Sequence, residues 1–245
     1  MLVPSGRQCG IDTGPRFLAD QRGEGWASLA RAEGTTAACG HLVAQSSSQW
    51  HARSVAHHRW LSRRETEAER PGIIAIVEAL HAVVPDDAMI YSDMTQFAYV
   101  ANEVWPMTRA KHWHHPSGFG TLGYALPAAI GGAVARPGKP TMAIAGDYGF
   151  QYSVQELGTA VELGQPLPII LWDNGKLKEI EDSMRSAQIA PNAVLAKNPN
   201  FLDLARAYGA DASAPNSLAQ MQEAVVSAFD AERPKLIYLS PNTVS

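Results

Sequence analysis

The chain has 245 residues, 46% hydrophobic and 18% charged, with 20 Gly, 16 Pro, two Cys and a formal charge of −4. That length can bury a sizeable core, and the composition excludes a disordered, collagen-like or disulfide-stapled chain. No run approaches the roughly 20 apolar residues of a membrane helix, no secretory leader follows Met1, two cysteines fit a reducing cytoplasm, and mild acidity gives no reason to expect nucleic acid.

Composition shifts near Pro71. Residues 1–70 hold nine Arg, no Lys, seven acidic residues and both Cys. They are expected to form an irregular arm, with one helical stretch over 49–69 whose apolar face is thin. From 71 to 245 the pattern is regular and reads as one domain. Apolar spacing predicts a helix over 73–84, a strand over 88–92 and a helix over 96–104. A small-residue helix follows over 121–135, then a strand over 141–145, a helix over 154–163 closed by Gly164, and a strand over 167–172. The spacing next predicts a helix over 199–208 with Pro199 in its first turn. Ser217-x-x-Gln220 reads as a capping box opening a helix to about 231, and 236–239 is a last strand. Strands alternating with helices of this length define an α/β class: a parallel sheet with helices on both faces.

In such sheets ligands sit beyond the carboxyl ends of the strands. Two of these ends are unusually polar: Gly146-Asp147-Tyr148-Gly149 after the 141–145 strand, and Asp173-Asn174-Gly175 after the 167–172 strand. A carboxylate and an amide oxygen from neighbouring turns form a hard-oxygen pair suited to Mg²⁺. Glycines let backbone amides approach a phosphate, and the helix start that follows favours an anion. The residues therefore suggest a divalent cation and a diphosphate on one rim, although Gly-Asp and Asp-Asn-Gly are also ordinary turn sequences.

Asp147 and Asn174 lie 27 positions apart, with a helix and a strand between. This resembles the Gly-Asp-Gly and Asn-Asn signature of thiamine diphosphate enzymes. The segment 117–131 (SGFGTLGYALPAAIG) resembles the cofactor cradle of the acetolactate synthase and 2-oxo acid decarboxylase group, and 151–164 is similar to the helix after the metal aspartate. The resemblance covers about residues 71–245, as the C-terminal diphosphate domain of that family.

The resemblance implies thiamine diphosphate and Mg²⁺ as cofactors. Asp147 and Asn174 would ligate the metal by side chains and Lys176 by its backbone carbonyl. Gly146, Tyr148 and Gly149 would face the diphosphate with their backbone, joined by Thr95 and Gln96. Gly120 and Leu122 would bond the aminopyrimidine, and Leu122 would be the apolar wedge that keeps the cofactor bent. Two residues depart from the family pattern: Tyr148 replaces the third glycine, and Asp173 replaces the first asparagine.

Glu179, Ile180 and Ser183 fall where relatives place substrate contacts. Glu179 is the candidate catalytic-pocket carboxylate, suited to a 2-oxo acid with a cationic tail such as a guanidino group. The alternative is that Lys178, Glu179, Glu181 and Asp182 form a solvated helix face, the usual pattern for a charge run. In the run His112, His114, His115, either His114 or His115 is the candidate for proton transfer, with His115 carried forward, against an ordinary loop that packs Trp113.

The family's activating glutamate lies on a separate pyrimidine-binding domain, and residues 1–70 would at most be the tail of a middle domain. The resemblance thus implies half an active site of a lyase or transferase. Its expected partners are a small 2-oxo acid, a pyrimidine-binding domain or full-length relative, and further copies in an oligomer. The rival expectation is a non-catalytic remnant that keeps the fold and associates with such a relative.

Overall fold

A computed structural model of the chain describes residues 52–244. The chain divides into units 1–58 and 59–245. Most of the expected arm lies outside the described residues; its last part forms helix α1, Ala52–Glu69.

The rest alternates as helix α2 (Ile73–His81), strand β1 (Met89–Ser92), helix α3 (Gln96–Val104), strand β2 (Trp113–His114), helix α4 (Ala125–Ala135) and strand β3 (Thr141–Gly146). Helices α5 (Asp147–Tyr152) and α6 (Glu156–Leu163), strand β4 (Leu167–Trp172), helices α7 (Lys178–Ser186) and α8 (Phe201–Ala207), strand β5 (Asp211–Ser213), helix α9 (Leu218–Phe229) and strand β6 (Pro234–Leu239) follow. All six strands run parallel in the order β2-β1-β3-β4-β6-β5.

Every residue of β3 and β4 is buried, as parallel strands covered on both faces must be. The period-2 pleat sorts their side chains between two cores. Met142, Ile144, Ile170 and Trp172 pack with α2, α3 and α9, whereas Ala143, Ala145, Ile169 and Leu171 pack with α4, α6 and α8. The small residues of α4 let it sit close on the sheet. A Cβ at Gly132 would lie 2.5 Å from the ring of Tyr91 on β1.

This arrangement places the site. From β1 the chain passes to α3 on the first face, and from β3 it passes to α5 and α6 on the second. The two connections diverge at the β1–β3 boundary, a topological switch point that opens a crevice at the strand ends.

Three helix starts differ from the periodicity: the 154–163 helix begins at Glu156, and the other two have causes in the hydrogen bonding. The 121–135 helix begins only at Ala125, because Gly123 takes φ 85° and the Asp93 carboxylate accepts from the Gly123, Tyr124 and Ala125 amides. The 199–208 helix begins at Phe201, because the Asn200 side chain accepts from the Leu202 and Asp203 amides, and this leaves Pro199 outside. The capping box at Ser217 forms: its hydroxyl accepts from the Gln220 amide at 3.2 Å, and Gln220 Oε1 accepts from the Asn216 amide at 3.1 Å.

Candidate cofactor site

Four connections meet at the switch point around a cavity of about 230 Å³. The β1–α3 turn supplies Met94, Thr95 and Gln96, and the loop before α4 supplies Gly120 and Leu122. The end of β3 supplies Gly146, Asp147, Tyr148 and Gly149, and the loop after β4 supplies Asn174 and Lys176 through Ile180. All ten residues expected to contact the cofactor therefore line one cavity, together with Glu179. His115 does not line it. Its Nδ1 lies 2.8 Å from Ser92 Oγ at the end of β1, its ring is edge-on to Tyr99 of the lining at 6.1 Å, and burial holds its pKa below the ordinary imidazole value.

Asp147 starts α5 and is only 4% exposed. Its Oδ2 accepts from Asn198 Nδ2 at 2.7 Å. Burial pushes its carboxyl up to about 6, opposed by the Asn198 hydrogen bond and assisted by the charge of neighbouring Asp173. Asp173 is held in turn: it accepts from Asn198 Nδ2 at 2.8 Å, from Tyr238 Oη at 3.0 Å and from its own turn at the Gly175 amide, 2.9 Å. Burial and that carboxylate push the Tyr238 phenol up to about 12. Asn174 donates to Gln96 Oε1 at 2.9 Å, and its Oδ1 accepts from the Lys176 amide at 3.2 Å. The Lys176 ammonium pairs with buried Glu181 at 3.1 Å, and Lys176 lines the cavity.

The backbone approaches closely here. A Cβ on Gly146 would lie 3.1 Å from Thr95, and one on Gly149 would lie 2.4 Å from Asp93 Oδ2. Tyr148 stands between them, half-buried, at the position that departs from the family's glycine. Asp93 is the organiser that periodicity missed: it is 1% exposed and holds the start of α4, which carries the cradle loop. An Asp directly after a short apolar strand was its only signal.

Glu179 faces the cavity and is ion-paired. Arg70 donates Nε to Oε1 at 3.3 Å and Nη2 to Oε2 at 3.4 Å, while its guanidinium lies 5.7 Å from the centre of the Tyr99 ring. Helix α7 thus presents a carboxylate to both the cavity and a neighbouring recess lined by Arg70, Tyr99, Asn102 and Glu103. His114 stacks on Tyr91 at 4.8 Å, and His112 Nδ1 lies 2.9 Å from the Ala110 carbonyl. Among the described residues no group of three or more His, Cys, Asp or Glu is arranged to hold a metal. Any cation here would depend on the mixed set of one carboxylate, one amide oxygen and backbone carbonyl.

Fold and site together define an α/β domain whose sheet switch point gathers hard-oxygen donors and glycine backbone at one crevice. The family profile described as "Thiamine pyrophosphate enzyme, C-terminal TPP binding domain" matches residues 93–239. The chain belongs to this family and carries its thiamine diphosphate-binding domain. It is 41% identical over 166 residues, 67% of its length, to the Pseudomonas aeruginosa protein named "Probable 2-ketoarginine decarboxylase AruI", and covers 30% of that protein. It is 33% identical over 158 residues to the Escherichia coli acetolactate synthase isozyme 2 large subunit, covering 64% of this chain and 29% of that one. The fold matches the 4-hydroxybenzoylformate decarboxylase of Rhodococcus jostii with a TM-score of 0.65 at 24% identity, over 69% of this chain and 32% of the other. The chain therefore spans about 30% of the length of these relatives.

Proposed function

We propose that residues 71–245 bind Mg²⁺ and thiamine diphosphate as the diphosphate-side half of a lyase or transferase acting on a 2-oxo acid. The observation that carries this reading is the meeting of Asp147, Asn174 and the Lys176 backbone with the 146–149 backbone at one cavity. Asp147 and Asn174 would hold the cation by side-chain oxygens, and Lys176, its ammonium drawn off by Glu181, would add its carbonyl. The amides of Tyr148 and Gly149 would bind phosphate oxygens, and Leu122 would press the ring system against the Gly120 side. When bound, thiamine diphosphate supplies the nucleophilic carbon and the electron sink that 2-oxo acid decarboxylation needs.

A guanidino 2-oxo acid is the substrate we favour. Glu179 reaches the cavity and already carries a guanidinium, that of Arg70, across both its oxygens. A planar guanidinium matches a carboxylate in this paired fashion, so a substrate tail of the same chemistry would replace Arg70 on it. The relative named for 2-ketoarginine supports the same class. Catalysis in this reading requires a pyrimidine-binding domain in trans, as in the family.

The test is calorimetric titration of the full chain with thiamine diphosphate in the presence and absence of Mg²⁺. Binding is expected to depend on Mg²⁺ and to disappear in Asp147→Ala. Unchanged binding in that variant would refute the metal assignment.

A further inference from the structure

The Asp147 carboxylate is held in place by a residue far from either motif. Asn198 lies 51 positions after Asp147, in the loop between α7 and α8. Its amide nitrogen donates both hydrogens to carboxylates on two different strand ends: Asp147 Oδ2 at 2.7 Å and Asp173 Oδ1 at 2.8 Å. Its amide oxygen accepts from Gln151 Nε2 at 3.1 Å, and the same Gln151 nitrogen lies 3.2 Å from the Asp147 carbonyl. This arrangement leaves only one orientation for the amide, since a flipped group would put its oxygen against two carboxylates. The loop itself is stitched to the second motif. The Leu177 amide donates to the Val194 carbonyl at 2.9 Å, and the Ala196 amide donates to the Gly175 carbonyl at 3.0 Å.

We infer that Asn198 is the positioning residue of the Mg²⁺ site: it fixes the Asp147 carboxylate and ties it to Asp173 through one shared donor. The inference rests on the metal reading above. Two carboxylates at adjoining strand ends repel when both are ionised, and a single donor nitrogen between them offsets that repulsion while setting their separation. Its bond is to Asp147 Oδ2, so Oδ1 is the carboxylate oxygen that Asn198 does not hold. Mg²⁺ demands near-ideal octahedral geometry, so a ligand whose rotamer is already set binds it at less cost than one free to turn. Ca²⁺ accepts looser and more numerous ligands and depends less on that preset rotamer.

The test titrates the full chain with Mg²⁺, and separately with Ca²⁺, at fixed thiamine diphosphate and follows heat release, beside thermal unfolding without metal. Asn198→Ala is expected to weaken Mg²⁺ by roughly 10- to 100-fold, the usual effect of losing a group that orients a metal ligand. Ca²⁺ is expected to weaken much less, so the Mg²⁺/Ca²⁺ ratio falls. Gln151→Leu frees the amide without touching either carboxylate and is expected to move the ratio the same way by a smaller factor; it decides the matter should Asn198→Ala not fold. Mg²⁺ binding within twofold of the parent, while Asp147→Ala abolishes it, overturns the role of Asn198 and leaves the metal site standing. Equal loss of both cations with a lowered unfolding midpoint overturns it too, because that is the signature of structural damage. Binding that survives Asp147→Ala removes the metal reading itself.

Discussion

At the residue scale, Asp147 stands in a place that disfavours its charge. Its carboxyl is pushed from 3.8 up to about 6, chiefly by burial, so the folded state holds this proton more tightly than the unfolded chain. The stability linked to that proton is fully present below about pH 4 and is lost as pH rises through 6. The chelator-treated protein carrying Asp147→Asn is therefore expected to melt several degrees above the parent at pH 8 and level with it near pH 4. Equal midpoints at both pH values would show that the carboxylate is not strained by its surroundings. The same substitution is expected to forfeit cation binding, a trade common where a buried ionisable group serves a ligand.

The elements meet here through glycine as much as through apolar side chains. Gly149, in α5, packs against Asp93, which holds the first amides of α4. A Cβ there would lie 2.4 Å from Asp93 Oδ2 and 3.4 Å from the Gly123 amide nitrogen. Gly149→Ala must push the carboxylate off three donors at once and is expected to cost about 2–4 kcal/mol, read as a lower denaturant midpoint. Gly131→Ala, on the exposed face of α4 with nothing within 4 Å of the new methyl, is expected to be neutral or to stabilise by about 0.5–1 kcal/mol. If the two variants unfold alike, this packing does not couple α5 to α4. The pair also shows how far local pattern reaches. Both glycines stand in helices, and only the fold distinguishes the one that touches a buried acid.

For the whole molecule, the cavity carries an apolar rim. Phe119, next to lining residue Gly120, is 93% exposed, and Ile180 in the lining is 49% exposed. Among the described residues no helix is long and apolar enough to cross a membrane. On the proposed reading a pyrimidine-binding domain covers this rim and completes the site. The chain alone is then expected to release no CO₂ from 5-guanidino-2-oxopentanoate, and to do so once that domain is added from a full-length relative. In that assembly Glu179→Lys is expected to reverse a preference for guanidino over apolar 2-oxo acids by at least tenfold. An unchanged preference would remove Glu179 from substrate selection, and no activity in any combination would favour the non-catalytic remnant.

Much of this was open to reading in the chain itself. Apolar periodicity located β3 and β4, since parallel strands buried on both faces must be nearly continuous apolar runs. The spacing of Gly146-Asp147 and Asn174 located the rim, since a strand-end turn must carry polar ligands wherever the sheet binds one. Pairings between residues distant in sequence were not legible, because no local period records them. These include Asp93 on the amides of 123–125, Arg70 on Glu179 across 109 positions, and Asn198 between Asp147 and Asp173. The contact of His115 with Ser92, 23 positions apart, and its ring set edge-on to Tyr99 were likewise not legible. The sequence by itself determined the fold class, the family and the residues that reach the rim, because these follow from local pattern and fixed spacing. Only the tertiary structure decided which carboxylates are paired, buried or share one donor, because those are properties of contacts made when the strand ends and loops close on one another.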